Sequence, residues 1–349
     1  MEPFYKTKWF YLIVLVVLLL ASAIGVWWYR SQAELNAQLE ELEQVQGAFV
    51  NEPIQPIPLH LELDEQKVNL GEQLFHDTRF SSDNSISCST CHQFEIGGVD
   101  RLPRSIGINN QEGIFNTPTV FNSGFNFRQF WDGRAATLEE QIDGPIQTDH
   151  EMASSWPEII GKLKEDATYT SQFDALYTDG ITSDNVKDAI ATFERSLYTP
   201  NSRFDQFLRG NDEAITLDEK KGYELFKGYG CISCHQGMNV GGNIYQKFGV
   251  VGDYFADRGN ITDADLGRYN ITGNELDRHV FKVPSLRNVA ITPPYFHDAS
   301  AQKLEQAVAT MGKYQLGRPL SDEDVRLIVG FLKTLTGEYK GVSLESQIP

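Results

Sequence analysis

The sequence predicts an all-α protein made of two similar domains behind a single N-terminal transmembrane helix. Three observations predict it. An uncharged run from Trp9 to Tyr29 follows two lysines. A short helical pattern with Gly, Leu and Phe in matching places occurs twice, each time ahead of a Cys-x-x-Cys-His pentapeptide. Each of these stretches then closes on an amphipathic stripe of helical period.

The chain has 349 residues, 41% of them hydrophobic and 22% charged, which excludes a disordered chain and a polytopic membrane protein. That length accommodates two cores. A formal net charge of -18 disfavours nucleic acid and anionic lipid, and any electrostatically steered partner should present a basic face.

Residues 1–30 read as a membrane anchor. Lys6 and Lys8 precede the uncharged run, which at ~1.5 Å per residue spans a hydrocarbon layer of roughly 30 Å. The lysines stay inside, so the rest lies outside. A cleaved signal peptide is the competing reading, because Ala21-Ser22-Ala23 resembles a cleavage site. The apolar run nevertheless continues through Ile24 and Val26 into Trp27-Trp28-Tyr29 and Arg30, an interfacial belt on an intact anchor. Residues 31–58 follow as a helical stalk, with Leu35, Leu39 and Leu42 at helical spacing, and a linker marked by Pro53, Pro56 and Pro58.

The four cysteines of the chain fall as Cys88-Ser-Thr-Cys91-His92 and Cys231-Ile-Ser-Cys234-His235. Two thiols on one turn reach the vinyl groups of a porphyrin, and the adjacent histidine turns its imidazole onto the iron. Zinc sites, thioredoxin-like pairs and structural disulfides are the alternatives, and none requires a histidine after both pairs. Both motifs therefore read as covalent c-type haem sites with His92 and His235 as proximal ligands. Leu70-Gly-Glu-Gln-Leu74-Phe75 precedes the first motif and Lys221-Gly-Tyr-Glu-Leu225-Phe226 the second. Val186, Ile190, Phe193 and Leu197 close the first half. Val325, Ile328, Val329, Leu332 and Leu335 close the second, behind a Ser321-x-x-Asp324 capping box. Helix, haem motif, connection and closing helix is the plan of a cytochrome c domain. We therefore expect two cytochrome c-like haem domains, at 59–200 and 201–349, joined through 199–216.

From roughly residue 60 to 337 the chain resembles the bacterial dihaem cytochrome c peroxidase family. The resemblance rests on both haem motifs in order, Gly97-Gly98-Val99-Asp100, Asn116-Thr117-Pro118-Thr119-Val120, Gln129-Phe130-Trp131-Asp132-Gly133-Arg134, and Gly144-Pro145-Ile146-Gln147 followed by Glu151-Met152. It extends to Leu286-Arg287-Asn288-Val289-Ala290 and Thr292-Pro293-Pro294-Tyr295-Phe296-His297. It implies that hydrogen peroxide is reduced to water at the first haem, with electrons entering at the second from a small cytochrome c or a cupredoxin. Together with the anchor read from residues 9–29, it places the body in the periplasm, tethered to the bacterial inner membrane, with a homodimer as a further expectation.

The resemblance also implies residue roles. Met311 becomes the sixth ligand of the second haem, since Met238 follows His235 too closely to cross to the opposite face; in isolation Met311 would read as a core gap-filler. Glu151 and Gln141 become the acid–base and orienting residues of the first haem, where Glu151 alone would read as one more solvated acid. Trp131 becomes an electron bridge between the haems, where alone it would be core packing. Asn116 by its side chain, with Thr292 and Pro294 by their carbonyls, becomes an interdomain calcium site. One departure stands out. The family often carries a histidine cap on the first haem, and Ile108 occupies that place. An isoleucine cannot bind iron, which predicts an open first haem without reductive activation; His150, beside Glu151, is the candidate replacement cap nearest to the distal residues in sequence. Two other functions remain on sequence grounds: a non-enzymatic dihaem electron carrier, and an oxidase that modifies a partner protein, as in the methylamine-utilisation dihaem enzymes.

Overall fold

A computed structural model describes residues 15, 22, 24–32 and 52–347, in two units, Met1–Glu52 and Pro53–Pro349. In the first unit residues 24–32 are helical, with Trp27, Trp28 and Tyr29 exposed. Most of the expected membrane helix over 9–29 and of the stalk over 31–47 lies outside the described residues. Among the described residues no helix is long and apolar enough to cross a membrane.

The second unit is mostly helical. Its first half contains α1 (Glu65–Phe75), α2 (Cys88–Cys91), α3 (Leu138–Gln147), α4 (Trp156–Lys164), α5 (Ala167–Leu176) and α6 (Ser183–Ser196). Its second half contains α7 (Arg203–Leu208), α8 (Leu217–Gly228), α9 (Tyr254–Arg258), α10 (Tyr269–Thr272), α11 (Leu304–Thr310) and α12 (Asp322–Lys333). The expected all-α class is relieved by two antiparallel strand pairs, β1 (Tyr245–Lys247) with β2 (Val280–Lys282) and β3 (Glu338–Tyr339) with β4 (Val342–Ser343).

A glycine sets the helix crossing in each half. In α1 the carboxylate of Asp64 accepts the N–H groups of Gln66 and Lys67, and the helix then lays Gly71 against α6. A Cβ on Gly71 would sit 2.1 Å from the Ala189 carbonyl oxygen and 2.7 Å from Cβ of Phe193. In α8 a Cβ on Gly222 would sit 2.0 Å from the Leu327 carbonyl oxygen of α12. The backbones therefore touch at the crossing, and the apolar stripes read from the sequence line the contact: Val186, Ile190, Phe193 and Leu197 are buried, as are Val325, Ile328, Val329, Leu332 and Leu335. Ser321 Oγ accepts the Asp324 N–H at 3.1 Å and so starts α12 where the sequence placed it.

Gly71→Ala or Gly222→Ala should then destabilise the fold by about 1–3 kcal/mol, the range for overpacking. Gly161→Ala, which meets nothing within 4 Å on α4, should stabilise by about 0.5–1 kcal/mol. Equilibrium unfolding of the three variants checks this, and a neutral Gly222→Ala would show that the helices part freely.

The two halves are strapped together at both ends. Pro53, Pro56 and Pro58 lie in a non-helical stretch, and this stretch packs instead of linking. Ile54 and Ile57 are fully buried, and the Gly237 N–H donates to the Pro53 carbonyl at 2.8 Å. At the other end, Tyr339 packs edge-on against Phe121 at 5.1 Å, and Leu344 is buried in the core of the first half. Fully buried Arg287 closes the join. Its guanidinium pairs with Asp205 of α7 at 2.8 Å and donates to the carbonyls of Gln55 and Met238, each at 2.9 Å.

Candidate functional site

Both Cys-x-x-Cys-His motifs fold as a single turn followed by a sharp exit. In the first, Thr90 Oγ1 accepts the Ser87 N–H at 3.0 Å and holds the start of α2, which carries both thiols. The His92 N–H donates back to the Cys88 carbonyl, and the ring leaves the helix. Its Nδ1–H donates to the Gly98 carbonyl at 3.1 Å, which fixes the tautomer and leaves Nε2 with its lone pair. Gly98 supplies that carbonyl from φ +72°, where a Cβ would also press on Thr119 and Phe121. The Phe75 and His92 rings lie 6.4 Å apart, and the Phe226 and His235 rings also lie 6.4 Å apart. The repeated Gly-x-x-Leu-Phe pattern thus aims one aromatic ring at each proximal histidine.

The four cysteines are unpaired thiols in the structure. Burial pushes Cys91 up to about 12, Cys231 up to about 11 and Cys88 higher still. Burial likewise takes His235 down to about 4 and lowers His92, leaving neutral imidazoles, the form that binds iron.

The second motif opens onto a cavity of about 570 Å³. Cys231, Cys234 and His235 line it, as do Phe226, Val283, Leu286, Leu304 and Met311. The walls are mainly apolar, as a porphyrin requires. Met311 stands at the first position of a π-helical turn, Met311–Gln315, that continues α11, an irregularity often found at functional sites. Met238 is not among the residues lining the cavity; its carbonyl is held by Arg287. The donor set and the space fit a haem held by two thioethers, His235 and Met311.

The first motif faces a different environment. Glu151 lies in a turn after α3 and couples electrostatically to Cys91. Burial raises its carboxyl above the usual carboxylate range, and the nearby charges of His150 and Arg134 partly offset this. Ile108 is buried, and its N–H donates to the Glu151 carbonyl at 2.9 Å. Gly107 packs so tightly on the same turn that a Cβ would lie 2.1 Å from the His150 carbonyl oxygen. The Ile108 loop and the Glu151 turn are therefore one structural unit. Gln141 is half-buried on α3, and among the described residues no hydrogen bond joins it to Glu151.

Trp131 and the three expected calcium ligands meet at the second cavity, which Trp131, Asn116, Thr292 and Pro294 all line. Trp131 Nε1–H donates to the Asn116 carbonyl at 2.9 Å, and Asn116 Nδ2 donates to the Leu102 carbonyl at 2.9 Å. A separate group, Asp265, His297 and Asp298, brings three metal-capable side chains together. The Arg258 guanidinium pairs with both carboxylates, so this group is a closed ion-pair network.

Residues 65–213 match the family model described as di-haem cytochrome c peroxidase. The chain is 50% identical over 319 residues to the cytochrome c peroxidase of Escherichia coli, covering 91% of this chain and 67% of that protein. The chain belongs to the di-haem cytochrome c peroxidase family. The cytochrome c551 peroxidase of Nitrosomonas europaea is 48% identical over 296 residues, covering 84% of this chain and 87% of that one. Among solved structures, a MauG-like protein associated with microbial copper homeostasis superposes with a TM-score of 0.72 at 28% identity, covering 83% of this chain and 94% of that one. As a di-haem peroxidase the chain is an oxidoreductase with two c-type haems; the alternative of a partner-modifying oxidase has only the more distant, MauG-like relatives on its side.

Two residues of this di-haem peroxidase escaped the sequence reading. Glu194, on the buried side of α6, has its carboxyl pushed up to about 8 by burial and adds its charge to the field at Cys88. Lys282 is buried on β2 at the second cavity. Glu194 directly follows the stripe residue Phe193, a signal of burial that its charge masked.

Proposed function

We propose that the chain reduces hydrogen peroxide to two waters at the site of Cys88, Cys91 and His92, and that electrons enter at the site of Cys231, Cys234, His235 and Met311. The asymmetry of the two sites supports this most. A thioether lines the second cavity, whereas the first motif faces a carboxyl raised by burial. Bound at the first site, a haem would supply the two electrons that split the O–O bond: H2O2 with two electrons and two protons gives two H2O. Glu151 takes the proton from the inner peroxide oxygen and returns it to the outer one, so that water leaves. Gln141 orients the peroxide through its neutral amide. Trp131 carries electrons between the halves, in keeping with its place in a first-half loop that lines the second-half cavity.

Calcium fits the oxygen donors of Asn116, Thr292 and Pro294 at this junction. The donor is a small cytochrome c or a cupredoxin. The body, domains 59–200 and 201–349, stands in the periplasm, and the uncharged run at 9–29 behind Lys6 and Lys8 tethers it to the inner membrane. The net charge of -18 suits a basic donor surface.

Two experiments test the reading. With Ile108 in place of a histidine cap, the fully oxidised protein should show a high-spin ferric signal by electron paramagnetic resonance and should change its Soret band on adding peroxide, without pre-reduction. A wholly low-spin spectrum that becomes high-spin in His150→Ala would restore a gated site. An inert electron carrier would ignore peroxide altogether. Met311→His should lower the second haem's potential and slow electron delivery, because imidazole favours ferric iron more than thioether does. An unchanged potential in a redox titration would assign the ligand elsewhere.

A further inference from the structure

The charges around the second cavity run against those of the whole chain. The formal net charge is -18, yet among the described residues that line this cavity there is no Asp or Glu, while Lys247, Lys282 and Arg287 are present. Lys247 is exposed, and Arg287 is committed to Asp205 and to the carbonyls of Gln55 and Met238. Lys282 remains. It is only 8% exposed, and among the described residues its ammonium has no hydrogen-bond or ion-pair partner. Its backbone is fixed from two sides: the N–H donates to the Trp131 carbonyl at 2.8 Å, and β2 places it opposite Tyr245 of β1. Burial alone depresses its ammonium to about 8, which still leaves it mostly charged at neutral pH.

An unpaired ammonium on a buried residue at a cavity wall is costly, and removing the countercharge of such a group is among the strongly destabilising changes in proteins. The side chains around the cavity supply no anion. A haem does, because its edge carries two carboxylates. We propose that Lys282 is the counter-cation of a carboxylate of the haem at the second site, and that this charge raises the site's affinity for an electron. The proposal rests on the reading that Cys231, Cys234 and His235 hold a haem. It also explains the tie to Trp131: the bond from the Lys282 N–H to the Trp131 carbonyl keeps the cation beside the residue that passes the electron onward. Lys282 acts here through the haem and is a positioning and tuning residue.

The test compares Lys282→Met and Lys282→Arg in the holoprotein, reading the ferrous α-band of the second haem at a fixed ratio of oxidised to reduced redox dye. A unit charge acting across roughly 10 Å at an effective dielectric constant of about 20 shifts such an equilibrium on the order of tenfold. Lys282→Met should therefore lower the reduced-to-oxidised ratio about tenfold, and Lys282→Arg should keep it close to wild type. A wild-type ratio in Lys282→Met, with both haems present by pyridine haemochrome assay, overturns the proposal. Should Lys282→Met fail to accumulate, a crystal structure of the wild-type holoprotein decides. Nζ within ion-pair distance of a haem carboxylate supports the assignment, and both carboxylates paired elsewhere overturn it. A holoprotein with a single haem on Cys88 and Cys91 would instead sink the reading on which the proposal rests.

Discussion

Replacing Cys88 and Cys91 together by Ala leaves one covalent haem per chain and no peroxide turnover. The motif offers no substitute for its thiols: α2 is a single turn that carries only these two, and all four cysteines of the chain already belong to the two motifs. His92 alone would hold a haem through one coordinate bond, with no covalent attachment to survive denaturation. The second site cannot take over the chemistry, because its cavity has Met311 in place and no carboxyl in its lining among the described residues. The matching double variant, Cys231→Ala with Cys234→Ala, should also leave one haem. It should lose turnover with a protein donor, the outcome expected of the proposed electron-entry site. Mass spectrometry of the denatured chains counts the haems, and a Cys88/Cys91 variant that still carries two would undo the assignment.

Repetition made most of the fold legible. Gly71 and Gly222 occupy matching places in the sequence, and the structure shows why: at both crossings a helix backbone touches its partner and no Cβ fits. Phe75 and Phe226, four residues on, stand beside the proximal histidines for the same reason. Met311 could be separated from Met238 by chain distance alone. What the sequence hid depends on contacts between remote segments. Pro53, Pro56 and Pro58 look like a linker because proline stops helices, yet whether Ile54 and Ile57 find a core depends on Gly237 and Arg287, far away in the chain. Tyr339 and Leu344 follow the last closing helix, but they pack into the first half. Lys282 was invisible because a lone lysine between Phe281 and Val283 reads as the solvent-facing residue of a strand. It is buried, and its N–H is held by the Trp131 carbonyl of the other half. Nor did the sequence show that Ile108 and Glu151 share a backbone hydrogen bond, so that the residue at the cap position and the proposed acid–base residue belong to one loop pair.

Glu151→Gln should lower peroxide turnover by roughly 10²–10⁴-fold, the usual contribution of a positioned general acid–base, while both haem spectra persist. Gln keeps the size and one carbonyl oxygen of the side chain but cannot accept and return a proton at neutral pH. The backbone links of the Glu151 turn, to Ile108 and Thr148, do not involve the side chain and should survive the change. Stability should not suffer either. The native carboxyl is raised above its ordinary range by burial, with His150 and Arg134 only partly opposing, so the folded state holds the proton more tightly than the unfolded one. For a raised carboxyl, stability is lost as pH climbs from the unfolded value through the folded one, and an uncharged amide is free of that loss. The same shift sets the pH profile. Glu151 must be ionised to take the peroxide proton, so wild-type turnover should fall as pH drops through the raised value, with the acid limb displaced upward from where a solvated glutamate would put it. In Glu151→Gln the residual turnover should lack that limb. Steady-state rates across pH, taken beside thermal unfolding of both proteins, separate the two effects. Near-normal turnover, or an acid limb that survives the substitution, would return Glu151 to the role of an ordinary half-buried acid.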